Sequence, residues 1–225
     1  MINEKNLDII SEVKQQLGNL TKEDGLTTGT IRAISSRVFK IIKDKDINNV
    51  LSLCEELLDE KRWELGVIAY DWAFRMKKQY TDETFYIFER WLKKYVTGWG
   101  DCDDFCTHAF GELLSQNNSL FNHVIEWTNH PDFWVRRAAA VILIYPIKKG
   151  KFQDIDPFII ADKLMQDEHH LVLKGYGWML KVLSSIQKDE VYRYLMINKN
   201  VMPRVSLRYA IEKFSKDEKV ILMEK

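Results

Sequence analysis

The chain has 225 residues, with 33 Lys and Arg balanced by 33 Asp and Glu for a formal net charge of +0. That length supports one sizeable domain or a short repeat array, and the charge balance argues against a uniformly basic nucleic-acid binder. Ten glycines and four prolines are too few turn-formers for a many-stranded sandwich or barrel, and the longest apolar run, 138–146, is about half a bilayer span.

Periodicity and breakers place helices at 3–17, 30–43, 47–58, 61–78, 82–95, 101–116, 119–128, 133–147, 155–166, 170–186, 188–197 and 204–214. Leu51, Cys54, Leu57 and Leu58, then Phe85, Phe88, Trp91 and Leu92, recur at three- and four-residue steps, as one apolar helix face requires. The connections, such as Asp59-Glu60-Lys61 and Thr128-Asn129-His130-Pro131-Asp132, are short and polar, which makes neighbouring helices antiparallel. Cys54, Cys102 and Cys106 form an odd set with no secretory signal ahead of them, so the expectation is a soluble protein of the reducing cytoplasm.

A repeat emerges when the second helix of each pair is aligned. Gly66, Asp103, Arg137, Lys174 and Arg208 then fall at equivalent places, separated by 37, 34, 37 and 34 residues, the scale of two helices plus two turns. The expected fold is all-α: a right-handed α-solenoid of HEAT-like helical repeats, forming one domain over 1–225 with divergent N-terminal helices in 1–46 and repeats in 47–214. In such an array the second helices line one groove, so Asp103, Arg137, Lys174 and Arg208 should share it. Charge is unevenly spread along the chain: 16 basic and 22 acidic residues precede Trp134, whereas 17 basic and 11 acidic residues follow from Trp134 onward.

The segment Thr97-Gly98-Trp99-Gly100-Asp101-Cys102-Asp103-Asp104 puts three carboxylates and a tryptophan at the opening of a helix. Asp101 reads as its N-cap, and acids in a first turn suit the helix dipole. Capping does not account for Trp99, four residues before Asp103 and flanked by glycines that admit close approach of another group. Cys102, Cys106 and His108 lack a second ligand pair and read as two buried thiols with a polar neighbour, and His169-His170 reads as a solvated turn.

Trp99 to Asp103, then Trp134 to Ala139, then Lys174 to Leu180 together resemble the AlkD-like HEAT-repeat DNA alkylation repair glycosylases, over roughly 51–214. The resemblance implies a metal-free, cofactor-free bacterial enzyme, monomeric and nucleoid-associated when bound. It would hydrolyse the N-glycosidic bond of cationic N3- or N7-alkylpurines in double-stranded DNA. Matched motif by motif, it assigns the catalytic carboxylate to Asp103, its substrate-binding neighbours to Trp99, Trp178 and Arg137, and phosphate contacts to Arg136, Lys174 and Arg208. Gly98, Gly100, Asp104 and a proline-free 27–33 segment depart from the family pattern. Two alternatives remain open: a non-catalytic solenoid that recognises damaged or branched DNA, and a protein-interaction scaffold. On the residues alone, Trp178 is also a candidate for the core and Arg137 for an ion pair with a neighbouring repeat.

Overall fold

The structure, a computed structural model, describes residues 4–20 and 25–224. These are helical, with no strand among them, and they fall into two compact units that meet in sequence between Tyr95 and Val96. The expected first helix began at Asn3, which lies outside the described residues.

The first unit holds α1 (Glu4–Gly18), α2 (Thr28–Ile41), α3 (Ile47–Asp59), α4 (Trp63–Arg75) and α5 (Asp82–Tyr95). Thr27 closes a capping box with Thr30 to start α2, and Asp46 caps α3 through the Asn48 N–H. Helix α4 packs on both α2 and α3. At the α2–α4 contact the buried Trp72 indole donates to the Ser35 carbonyl at 3.1 Å, and the Ser35 hydroxyl donates to Asp71, which also pairs with Arg75. Helix α5 is tied to α3 by Arg90–Glu55 and Lys94–Asp59 ion pairs.

The second unit holds α6 (Trp99–Phe105), a π-helical turn (Cys106–Phe110), α7 (Gly111–Gln116), α8 (Phe121–Trp127), α9 (Phe133–Val141), α10 (Ile144–Lys149), α11 (Pro157–Leu164), α12 (His170–Leu183), α13 (Lys188–Asn198), α14 (Arg204–Ala210) and α15 (Lys216–Met223). Helices α6, α9, α12 and α14 lie side by side in that order, while α8 and α11 pack against α9, and α11 and α13 against α12. This is the two-layered stacking of a helical repeat solenoid, in which each pair buries its apolar stripe against its neighbours. Val135, Ala138 to Ile142, Val172, Tyr176, Met179, Leu180 and Leu207 are fully shielded and form the seam.

Glycine sets two of the close approaches. A Cβ on Gly177 would lie 2.7 Å from the Ser206 carbonyl oxygen, and one on Gly111 would lie 2.5 Å from both the Tyr145 Cβ and the Cys106 carbonyl oxygen. Only hydrogen fits there.

Several helix boundaries differ from the sequence expectation. The 101–116 helix begins earlier, at Trp99, and contains the π turn. The 133–147 helix is interrupted at Ile142 and Leu143, ahead of Pro146, where the proline cannot donate the backbone bond a continuous helix needs. The 61–78 helix ends at Arg75 and continues as a 3₁₀ turn, Lys77–Gln79. An additional helix, α15, follows residue 214, started by a Ser215–Glu218 capping box.

Candidate functional site

Helix α6 starts at Gly98, whose φ of −144° and ψ of 159° are extended, and has no side-chain cap at that position. Asp101 therefore sits at the third helical position rather than at the N-cap. Its carboxylate reaches back to the backbone N–H groups of Thr97 and Gly98, half of a capping box. Burial pushes the Asp101 carboxyl up, those two hydrogen bonds oppose the shift, and the nearby Asp104 charge adds to it. Capping thus accounts for Asp101 and leaves Asp103 free for another use.

Asp103 meets Arg137 of the adjacent helix α9. The Arg137 Nε donates to Asp103 Oδ1 at 2.9 Å and Nη2 donates to Oδ2 at 2.8 Å, a bidentate pair, while Nη1 donates to the Leu171 carbonyl at the start of α12. Arg137 is only 5% exposed, whereas 20% of the Asp103 side chain remains open. Burial raises the Asp103 pKa above its ordinary value, against the opposing charge and hydrogen bonds of Arg137. Gly175 allows this packing: its Cβ position lies 3.4 Å from the Arg137 side chain. Below the pair, Cys102 and Cys106 are fully buried, and burial holds the Cys106 thiol far up, so neither is a ready nucleophile.

Trp99, one helical turn before Asp103, is 64% exposed, and Gly100 beside it faces open space. Trp178 is half-buried on α12, one turn beyond Lys174. Lys174 is half-buried and Arg208 exposed, and neither has an ion pair among the described residues. The shared register places Asp103, Arg137, Lys174 and Arg208 on successive helices of one layer.

Both arginines at the start of α9 are engaged within the protein, Arg137 in an ion pair with a neighbouring repeat, one of its two expected roles, and Arg136 in one that the sequence did not foretell. Arg137 is enclosed, with every arm of its guanidinium used, so it holds Asp103 and is not open to a phosphate. Arg136 is also engaged: it pairs with Asp167 at 2.6 and 3.3 Å and donates to the His130 and Pro131 carbonyls at 2.9 and 3.0 Å. It ties the loop before α9 to the loop before α12. His169, expected in a solvated turn, is the N-cap of α12 and stacks on Phe133. No cluster of three metal-ligating His, Cys, Asp or Glu side chains occurs among the described residues. No helix among them is long and apolar enough to cross a membrane.

The protein is thus a helical repeat stack with a guanidinium-clamped carboxylate on its second helices. The chain belongs to the DNA alkylation repair enzyme family, whose sequence model matches residues 9–214. A solved structure described as a predicted DNA alkylation repair enzyme from Enterococcus faecalis has a similar fold, with a TM-score of 0.67 over 96% of this chain and 97% of that one, at 14% identity. Comparison with curated proteins finds no match.

Proposed function

We propose that the chain is a monofunctional DNA glycosylase that releases cationic N3- or N7-alkylpurines from double-stranded DNA through Asp103. The observation that carries this reading is a carboxylate fixed by a buried guanidinium yet one-fifth exposed, one turn from a largely exposed tryptophan. Family membership supports DNA as the substrate.

An alkylated purine already bears positive charge. When its bond to C1′ breaks, the electron pair goes to the purine, which leaves neutral, and the positive charge moves onto the sugar. A fixed carboxylate stabilises that developing charge without reorganising. The same carboxylate orients the water that adds to C1′ and takes up its proton, as the second acid does in glycoside hydrolysis. Arg137 keeps Asp103 ionised and immobile. Trp99 and Trp178 offer π faces to the cationic nucleotide, each worth about 0.5 to 2 kcal/mol. Lys174 and Arg208 hold phosphates and position the duplex.

One observation favours a binding-only relative: both Asp103 carboxylate oxygens are already engaged by Arg137. Base release from duplex DNA containing 7-methylguanine separates the two readings. The glycosylase reading expects release above a no-enzyme blank, lost in Asp103→Asn and reduced in Trp99→Ala, a change at an exposed side chain that spares the fold. Wild-type protein that binds the duplex but releases no base would establish the binding-only reading instead.

A further inference from the structure

Each residue of the Asp103, Arg137, Lys174, Arg208 register has a counterpart four residues earlier, on the same helix face one turn nearer the helix start: Trp99, Phe133, His170 and Arg204. Three of these four are rings. Phe133 stacks on His169 with centroids 3.6 Å apart and planes 19° apart, and His169 stacks on His170 at 5.0 Å and 28°. Trp134 also lies against Phe133, with centroids 4.4 Å apart and planes tilted by 42°. The result is a continuous ladder of rings across the α9 and α12 starts, adjacent to the clamped carboxylate.

The ladder is fixed in place by its surroundings. Asp167 accepts the His169 backbone N–H at 2.8 Å while pairing with Arg136, which grips the loop before α9. His169 Nδ1 accepts the Leu171 N–H at 3.3 Å, which assigns the ring proton to Nε2. Burial and the neighbouring His170 lower the His169 pKa, so the ring stays neutral and suited to stacking. His170 is the exposed end of the ladder and meets no further ring among the described residues. One turn along α12 lies Lys174, with no ion pair among the described residues.

We propose that this ladder is a stacking site for an unpaired nucleobase: the base caps the outer face of His170, and Lys174 takes the adjoining phosphate. An aromatic face next to a cation matches the alternation of base and phosphate in an unpaired stretch of strand. The proposal rests on DNA being the substrate but not on glycosylase chemistry. It gives the protein a grip on a strand whose pairing is disturbed, apart from the carboxylate that acts on the sugar.

The test uses fluorescence anisotropy with two unalkylated duplexes, one fully paired and one carrying a single extra adenosine on one strand. Wild type should bind the bulged duplex more tightly, and His170→Ala should lose about fivefold or more of its affinity for that duplex, while binding the paired duplex as before. His170→Phe should keep the preference, since the ring and not the imidazole nitrogen is used. Equal wild-type affinity for the two duplexes, or a preference that survives His170→Ala, overturns the stacking site. Binding to neither duplex overturns the DNA-binding reading as a whole. Glycosylase failure leaves all of these affinities in place, so the two proposals fail separately.

Discussion

Arg137 illustrates how one residue's chemistry depends on its partner. Its charge is nearly enclosed, so it is tolerable only with Asp103 opposite and the Leu171 carbonyl completing its hydrogen bonds. Arg137→Ala should therefore destabilise the fold by about 3 to 5 kcal/mol in chemical denaturation, well above the cost of losing an exposed ion pair. Asp103 also carries a pH signature. Because its pKa lies above the ordinary value of 3.8, protonation removes the useful carboxylate at a higher pH than for an exposed aspartate. Blank-corrected base release should rise with pH along an acid limb centred above 3.8 and then level off. The same upward shift has the opposite sign for stability: the contribution of Asp103 protonation is present at low pH and is lost as pH rises through its folded pKa. The pairing of Asp103 with Arg137 was implicit in the 34-residue step between them, which placed them on neighbouring helices. The engagement of Arg136 was not, because it depends on where the 167–169 loop folds, and no local pattern encodes that position.

Among the helices, the clearest tests come from glycines with opposite surroundings. Gly177→Ala would drive a methyl group to within 2.7 Å of the Ser206 carbonyl oxygen and 2.9 Å of the Tyr209 Cβ, so α12 and α14 would have to part. A loss of about 1 to 3 kcal/mol is expected in thermal melts. Gly100→Ala meets nothing within 4 Å and should leave stability unchanged or raise it by up to about 1 kcal/mol. If base release falls in Gly100→Ala while stability holds, the open space beside Trp99 belongs to the substrate. Helix α15 responds to pH through Glu218, whose pKa is lowered to about 2 by Lys188 and the Ser215 cap. Its folded value lies below the unfolded one, so its stabilisation is full above pH 4.5 and fades as pH falls towards 2. Helicity lost from this end should precede global acid unfolding. Most helices were legible because an apolar face repeating at three and four residues admits no other regular structure. Helix α15 was missed because Leu222 is its sole buried residue, leaving almost no stripe to read. The π turn and the Ile142 break answer to packing at Gly111 and to Pro146, which periodicity does not register.

For the whole chain, zero net charge conceals an acidic portion before Trp134 and a basic one after it. Duplex binding that depends on Lys174 and Arg208 should weaken linearly in log affinity with log salt. Replacing either residue by alanine should flatten the slope by about 1, equally for all sequences, because phosphate contacts position a duplex without reading it. A slope unmoved by both changes would remove these residues from the interface. The charge asymmetry and the repeat register were visible in the sequence. The row of rings one turn earlier was not read from the sequence, because it is defined by the Phe133–His169 stack, which joins residues 36 positions apart.

The clamped carboxylate does not belong to any single repeat. Asp103 comes from α6 and Arg137 from α9, so the pair exists only where those two helices adjoin. Repeat arrays lengthen by inserting whole helix pairs, each of which meets only its neighbours. A pair inserted at the 150–156 connection would keep Asp103 beside Arg137 but part α9 from α12, taking the Leu171 carbonyl from Arg137 and Asp167 from Arg136. The same pair inserted at the 128–132 connection would separate the two residues by a repeat and strand a buried cation on α9. The array is therefore constrained on both sides of α9 and most severely on the α6 side, where the partner lost is a charge, and a graded set of insertion variants, ranked by melting temperature, would show that order.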